Sequence, residues 1–69
     1  MAIYNITVLD FHQSDYPDQY LATFDFAVRF AARLMIEGWE SFYDAEEEKL
    51  ILSAEYDLGQ FFIIEIYED

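Results

Sequence analysis

The side chains of this sequence that are able to do chemistry are its carboxylates and one histidine, His12. Asp10 and Asp15 lie two and three residues from His12, a spacing at which a carboxylate can orient an imidazole as a general base. No serine, threonine or cysteine has an evident place beside His12 as a nucleophile, which that chemistry needs. We therefore expect His12 to lie in a surface loop without a catalytic role.

The densest group of carboxylates lies between Asp44 and Glu48, where the sequence is Asp-Ala-Glu-Glu-Glu. Carboxylate oxygens bind Ca²⁺ and Mg²⁺, but this run lacks the alternating Asp/Asn spacing and central glycine of a calcium loop. Paired carboxylates such as Glu46 and Glu48 also suit acid–base catalysis, which requires a pocket that shifts one pKa. A chain of 69 residues leaves little room for such a pocket. We expect exposed carboxylates, with no metal, no cofactor and no enzymatic activity.

Several other classes of site are disfavoured by composition. The only glycines are Gly38 and Gly59, so there is no glycine-rich phosphate loop, and there is no basic patch for direct binding of nucleic acid. Without cysteine the chain has neither a disulfide nor a thiolate metal site. We find no signal-peptide pattern and no apolar stretch near the roughly 18 residues that span a bilayer, and we expect a cytoplasmic location away from membranes.

The elements that position these carboxylates follow from the periodicity of the apolar residues. Alternating apolar and polar residues predict strands, whereas a repeat of three to four residues predicts a helix. The predicted order is a strand at 2–11, a turn at 12–18, a short strand at 19–22 for which an early part of the helix is the alternative, a helix at 24–37, and strands at 39–43, 48–55 and 60–67. The sequence therefore predicts one domain, residues 1–69, of the α+β class, in which an antiparallel sheet (β-β-α-β-β-β) has one helix packed across one face.

The helix has the clearest signals of any predicted element. Thr23 is a favourable N-cap and Gly38 a favourable C′ residue. Asp25, Arg29, Arg33 and Glu37 recur every four residues on one side. The opposite, apolar side is expected to face the sheet and consists of Phe24, Ala27, Val28, Ala31, Leu34 and Met35.

The net charge of −12 is the feature most informative about function. Leu, Ile, Val and Phe account for 22 of the 69 residues, which is too many for a disordered acidic chain. Such self-repulsion costs folding stability, so we favour recognition of a strongly basic partner over mere solubility. The helix is neutral, and the excess lies on the sheet, its turns and the chain ends. The predicted partner-binding residues, with two adjacent tyrosines, are Asp10, Asp15, Asp18, Glu40, Asp44, Glu46, Glu47, Glu48, Glu55, Asp57, Glu65, Glu68, Asp69, Tyr43 and Tyr56.

Carboxylates on a sheet are able to imitate the charge of duplex DNA. Residues i and i+2 of a strand lie about 6.6 Å apart on one face, a separation of the same general scale as that between successive phosphates. A sheet rimmed by carboxylates therefore offers a basic groove a phosphate-like array. Phe61, Ile63 and Ile51 on the outer face suggest a partner surface or a homodimer, so both monomer and homodimer stay open.

The chain resembles the small acidic DNA-mimic inhibitors that phages and mobile elements encode, and within that group the anti-CRISPR proteins. The resemblance rests on size, acidity and the mixture of aromatic and acidic residues at 10–20 and 39–57. It implies a CRISPR effector complex as target, with type I among the candidates, blocked where it reads the protospacer-adjacent motif and duplex DNA in a host bacterial cell. The alternatives are a mimic aimed at a restriction enzyme, uracil-DNA glycosylase, nucleoid protein or repressor, an immunity protein or antitoxin bound to a basic nuclease toxin, and a small enzyme.

Overall fold

The predicted α+β fold is confirmed by a computed structural model, which describes residues 2–10, 18–57 and 59–69 and excludes the side chains of Asp10, Tyr56, Asp57 and Gln60. The predicted turn at 12–18 lies almost wholly outside the described residues. The short strand predicted at 19–22 is confirmed and is longer than predicted. The elements are β1 (Ile3–Asp10), β2 (Asp18–Thr23), α1 (Phe24–Ile36), β3 (Glu40–Asp44), β4 (Lys49–Asp57) and β5 (Gln60–Glu68).

The five strands form one sheet in the order β2-β1-β5-β4-β3, with every neighbouring pair antiparallel. The last three strands, β3, β4 and β5, form an antiparallel meander. The first strand lies between β2 and β5, so that Ile6 is opposite both Tyr20 and Ile66. Neighbouring strands lie about 4.8 Å apart, which makes the sheet about 19 Å wide.

The ends of the helix are fixed by the residues that the sequence indicates. The Oγ1 atom of Thr23 accepts a hydrogen bond of 3.2 Å from the backbone N–H of Phe26. At the other end, the N–H of Gly38 donates to the carbonyl of Met35 (3.1 Å) and the N–H of Trp39 to that of Leu34 (3.0 Å). This pair of bonds is a Schellman motif, and the φ of +100° at Gly38 explains why glycine occupies C′.

The hydrophobic core lies between α1 and one face of the sheet, the inner face. Leu52 is completely buried near its centre. The full set of buried apolar residues is Ile6, Ala27, Ala31, Leu34, Leu52, Ile64 and Ile66. The helix lies closest to β1 and β2, towards one side of the sheet.

The expectation that the whole apolar side of the helix faces the sheet is wrong for three residues. Phe24, Val28 and Met35 are 59%, 49% and 43% exposed. Because α1 lies over one half of the sheet, only the residues directly beneath its axis are buried. The side chains on its flank face the space above β4 and β3 instead.

The outer face of the sheet has a buried polar network that the sequence does not predict. Asn5 and Thr7 are 4% and 7% exposed although the helix is on the other face. Asn5 Nδ2 donates to Asp69 Oδ1 (2.9 Å), and Gln19 Nε2 donates to Asn5 Oδ1 (3.0 Å) and to the Tyr67 hydroxyl (3.2 Å). That hydroxyl lies 3.3 Å from Thr7 Oγ1. Each buried polar group thus has a partner, and the network links β2, β1 and the end of the chain.

Candidate functional site

Antiparallel pairing gathers the carboxylates at the two ends of the sheet. The β3–β4 turn and the end of β5 lie at the same end, because Lys49 is opposite Tyr67 in the register. We call this end the turn end. It consists of Asp44, Glu46, Glu47, Glu48, Glu68 and Asp69.

The turn itself is shaped by one of its carboxylates. Asp44 Oδ1 accepts hydrogen bonds from the backbone N–H groups of Glu46 (3.0 Å) and Glu47 (3.2 Å). Glu48 has a φ of +56°, in the left-handed region that non-glycine residues seldom adopt. Consequently Asp44 stabilises the turn, while the side chains of Glu46, Glu47 and Glu48 are exposed to solvent.

A single lysine lies between the turn and the centre of the outer face. Lys49 Nζ is 2.9 Å from Glu47 Oε2 and 3.2 Å from Glu65 Oε2. The hydrogen bond to Glu47, followed by that to Glu65, raises the pKa of Lys49 above its ordinary value of 10.5. Glu65 therefore belongs to an ion pair within the sheet rather than to either acidic end.

The second acidic cluster lies at the other end of the sheet, which we call the opposite end. Three of its carboxylates, Glu37, Glu40 and Glu55, line a groove of about 440 Å³ together with Trp39 and Phe61. Asp18 begins β2 at this end and is exposed. The backbone also brings Asp10 and Asp57 to this end, at the close of β1 and β4. The opposite end is thus defined as Asp10, Asp18, Glu37, Glu40, Glu55 and Asp57.

All three basic residues of the chain are engaged in ion pairs with its own carboxylates. Arg29 Nε lies 3.2 Å from Asp25 Oδ2, and Arg33 Nε lies 3.0 Å from Glu37 Oε2. These are the i,i+4 pairs on the exposed side of the helix that the sequence indicates. With Lys49 held by Glu47 and Glu65, no lysine or arginine side chain is left to offset the remaining carboxylates.

The carboxylates are arranged as two end clusters and not as a ladder along the strands. Within the described strands, Glu55 and Asp57 are the only acidic residues spaced i,i+2, and the pairing of β4 with β5 changes register between them. The nine residues of β5 place the two ends about 26 Å apart, at about 3.3 Å per residue.

The other predicted contact residues have mixed placements. Tyr43 is exposed (59%) on the inner face, near the turn end. Of the predicted outer apolar group, Phe61 is 42% exposed, whereas Ile51 and Ile63 are half-buried. Asp15 and His12, and the side chain of Tyr56, lie outside the described residues.

The described residues do not include a group of three or more His, Cys, Asp or Glu side chains placed to hold a metal ion. Over the same part of the chain, no helix is long and apolar enough to cross a membrane.

Comparisons with protein-family models, with curated proteins and with solved structures find no match to this chain.

Proposed function

We propose that this protein is a non-enzymatic inhibitor that imitates the charge of duplex DNA and occupies the DNA-binding groove of a basic protein. Its carboxylates take the place of phosphates, so they attract the lysine and arginine side chains that would otherwise bind the DNA backbone. The observation that supports this proposal most directly is the arrangement of charge: two acidic ends on one sheet, with both arginines and the lysine already paired.

The separation of the two ends is consistent with a partner that follows a DNA backbone. The ends lie about 26 Å apart along β5, whereas one helical turn of B-DNA measures about 34 Å. A basic groove that contacts phosphates across most of one turn is able to contact both clusters at once. Each end then contributes several charges, which matters because one exposed ion pair contributes only about 0.2–1 kcal/mol.

We further propose that the target is a CRISPR effector complex, with a type I complex the first to be tested. This part of the proposal rests on the resemblance of a small acidic chain, rich in aromatic residues, to anti-CRISPR proteins. A complex that reads duplex DNA through a basic channel has the charge that this surface would attract.

Affinity capture from a bacterial lysate tests the proposal. The protein serves as bait, and a bait in which Glu46→Lys and Glu48→Lys reverse two charges of the turn end serves as the control. We expect the native bait to retain a DNA-binding protein or CRISPR complex that is released by added duplex DNA and is recovered less well by the control. Capture of a single nuclease, in a complex that duplex DNA does not release, would instead indicate an immunity protein or antitoxin.

A further inference from the structure

An apolar groove of about 540 Å³ lies between the helix and the sheet on the inner face. One wall is the flank of α1, formed by Phe24, Val28 and Met35. The floor and the other wall are formed on the sheet by Tyr43, Leu50 and Ile66. The groove extends for about 16 Å, the rise of 11 helical residues from Phe24 to Met35.

The groove exists because one helix is narrower than the sheet that it covers. A helix with its side chains is about 10 Å in diameter, and the sheet of five strands is about 19 Å wide. Since α1 lies over β1 and β2, the inner face above β4 and β3 is left with room for one more helix. The apolar side chains of α1 that border this space, Phe24, Val28 and Met35, are between 43% and 59% exposed.

The charge of the groove indicates what fits it. Among the described lining residues only Glu48 and Glu68 are charged, both are acidic, and both belong to the turn end. An occupant that complements this groove has an apolar stripe along one side and basic residues beside the turn end. We propose that the groove binds an amphipathic basic helix of the partner protein, in the mode in which a helix lays its apolar face in a groove. This inference rests on the proposed function, since it names the element of the basic partner that docks.

A second copy of this chain complements the groove less well. Its helix is neutral, because Arg29 and Arg33 pair with Asp25 and Glu37. It therefore has no basic side chain free to offset Glu48 and Glu68. A second copy also adds another net charge of −12 to the assembly.

A pair of synthetic peptides tests the groove. The first, of about 14 residues, contains only Leu and Lys, with Leu at helical spacing. The second has the same lysines, and Gln replaces every Leu. We expect the Leu/Lys peptide to bind at least about tenfold more tightly in fluorescence anisotropy, because only its leucines gain from an apolar groove. Equal affinity of the two peptides would overturn the proposal, since binding would then depend on charge alone.

Two matched variants locate the binding to the groove. Val28→Gln changes a groove residue, and Ile36→Gln changes a residue of the same helix that does not line the groove and is 84% exposed. Both keep the net charge. We expect Val28→Gln to lower the affinity for the Leu/Lys peptide by about tenfold and to leave the affinity for the Gln/Lys peptide unchanged. We expect Ile36→Gln to change neither affinity. Equal effects of the two variants on the Leu/Lys peptide would contradict the proposal.

Sedimentation equilibrium of the protein alone completes the test. We expect a monomer for the native chain and for both variants. A native dimer that Val28→Gln dissociates would show that a second copy fills the groove, and would overturn the proposal. Failure of the peptide tests overturns only the proposal for the groove, because competition with DNA depends on the acidic ends. Failure of the competition with DNA overturns only the mimicry of DNA, because the peptide tests do not use DNA. The two proposals are therefore tested separately.

Discussion

At the turn end, the carboxylates differ in what holds them. Asp44 is engaged by the turn, Glu47 by Lys49, and Asp69 by Asn5. Among the described residues, the side chains of Glu46 and Glu48 make no ion pair and are exposed. A basic partner therefore meets these two carboxylates without first breaking an internal contact.

Neutralising Glu46 and Glu48 is expected to weaken the binding of the basic partner. The variant Glu46→Gln with Glu48→Gln removes two negative charges, and we expect it to make the free energy of binding less favourable by about 0.4–2 kcal/mol, the sum of two exposed charges. The matched control, Asp25→Asn with Glu65→Gln, also removes two charges, but from ion pairs that lie outside both acidic ends. Isothermal titration calorimetry with the captured partner measures both, and a larger loss in the control would show that another surface makes the contact.

The pairing of Lys49 predicts a pH dependence of stability. Its pKa is raised in the folded protein by hydrogen bonds to Glu47 and Glu65. A group with a higher pKa in the folded state contributes stability that is complete below the unfolded pKa and is lost as the pH rises through the folded pKa. We expect the native protein to lose stability above about pH 10.5 more steeply than Lys49→Gln.

Urea unfolding of both proteins from pH 9 to about pH 12 measures this difference. Both proteins contain the same other titratable residues, so the difference between the two curves isolates the lysine. Parallel curves would show that the contacts of Lys49 do not contribute to stability through its charge.

At the level of the elements, the helix and the strands were predictable because their signals are local. Thr23 and Gly38 bound α1 through hydrogen bonds within a few residues of each, and alternation along β4 and β5 separates their two faces. The position of β1 between β2 and β5 was not predicted. Pairing between residues as distant as Tyr4 and Glu68 leaves no periodic signal in either segment.

The burial of the helix could be predicted only in part. Helical periodicity indicates an apolar side but not how wide a strip the sheet covers. In the structure that strip contains Ala27, Ala31 and Leu34, and the wider stripe predicted from the sequence includes the exposed wall of the groove. The polar network around Asn5 was likewise missed, because alternation indicates only that Asn5 and Thr7 face away from the core.

The N-cap of the helix supplies a test at this scale. Thr23→Ala removes the oxygen that accepts from the N–H of Phe26, and we expect it to lower the free energy of unfolding by about 0.5–2 kcal/mol. Thr23→Ser keeps the hydroxyl and should retain most of that stability. Urea unfolding compares the three proteins, and an equal loss in the two variants would assign the effect to the missing methyl group instead of the cap.

Across the whole molecule, the candidate site was predictable in its residue types but not in its arrangement. Composition alone identifies the acidic excess, and local turns indicate where several carboxylates lie. Bringing Glu68 beside Glu48 depends on the pairing of β5 with β4, and bringing Glu55 beside Glu37 and Glu40 depends on the path of the chain after α1. The tertiary fold thus converts scattered charges into two clusters.

Competition between this protein and duplex DNA for one basic partner tests the proposed mimicry most directly. With the captured partner immobilised, we expect the apparent affinity for its target duplex to fall as the protein is added, without a complex that contains all three. We also expect the affinity of the protein for the partner to weaken steeply between about 50 and about 500 mM NaCl, because exposed charges are screened. Simultaneous binding of protein and duplex, or an affinity indifferent to salt, would contradict the mimicry of DNA.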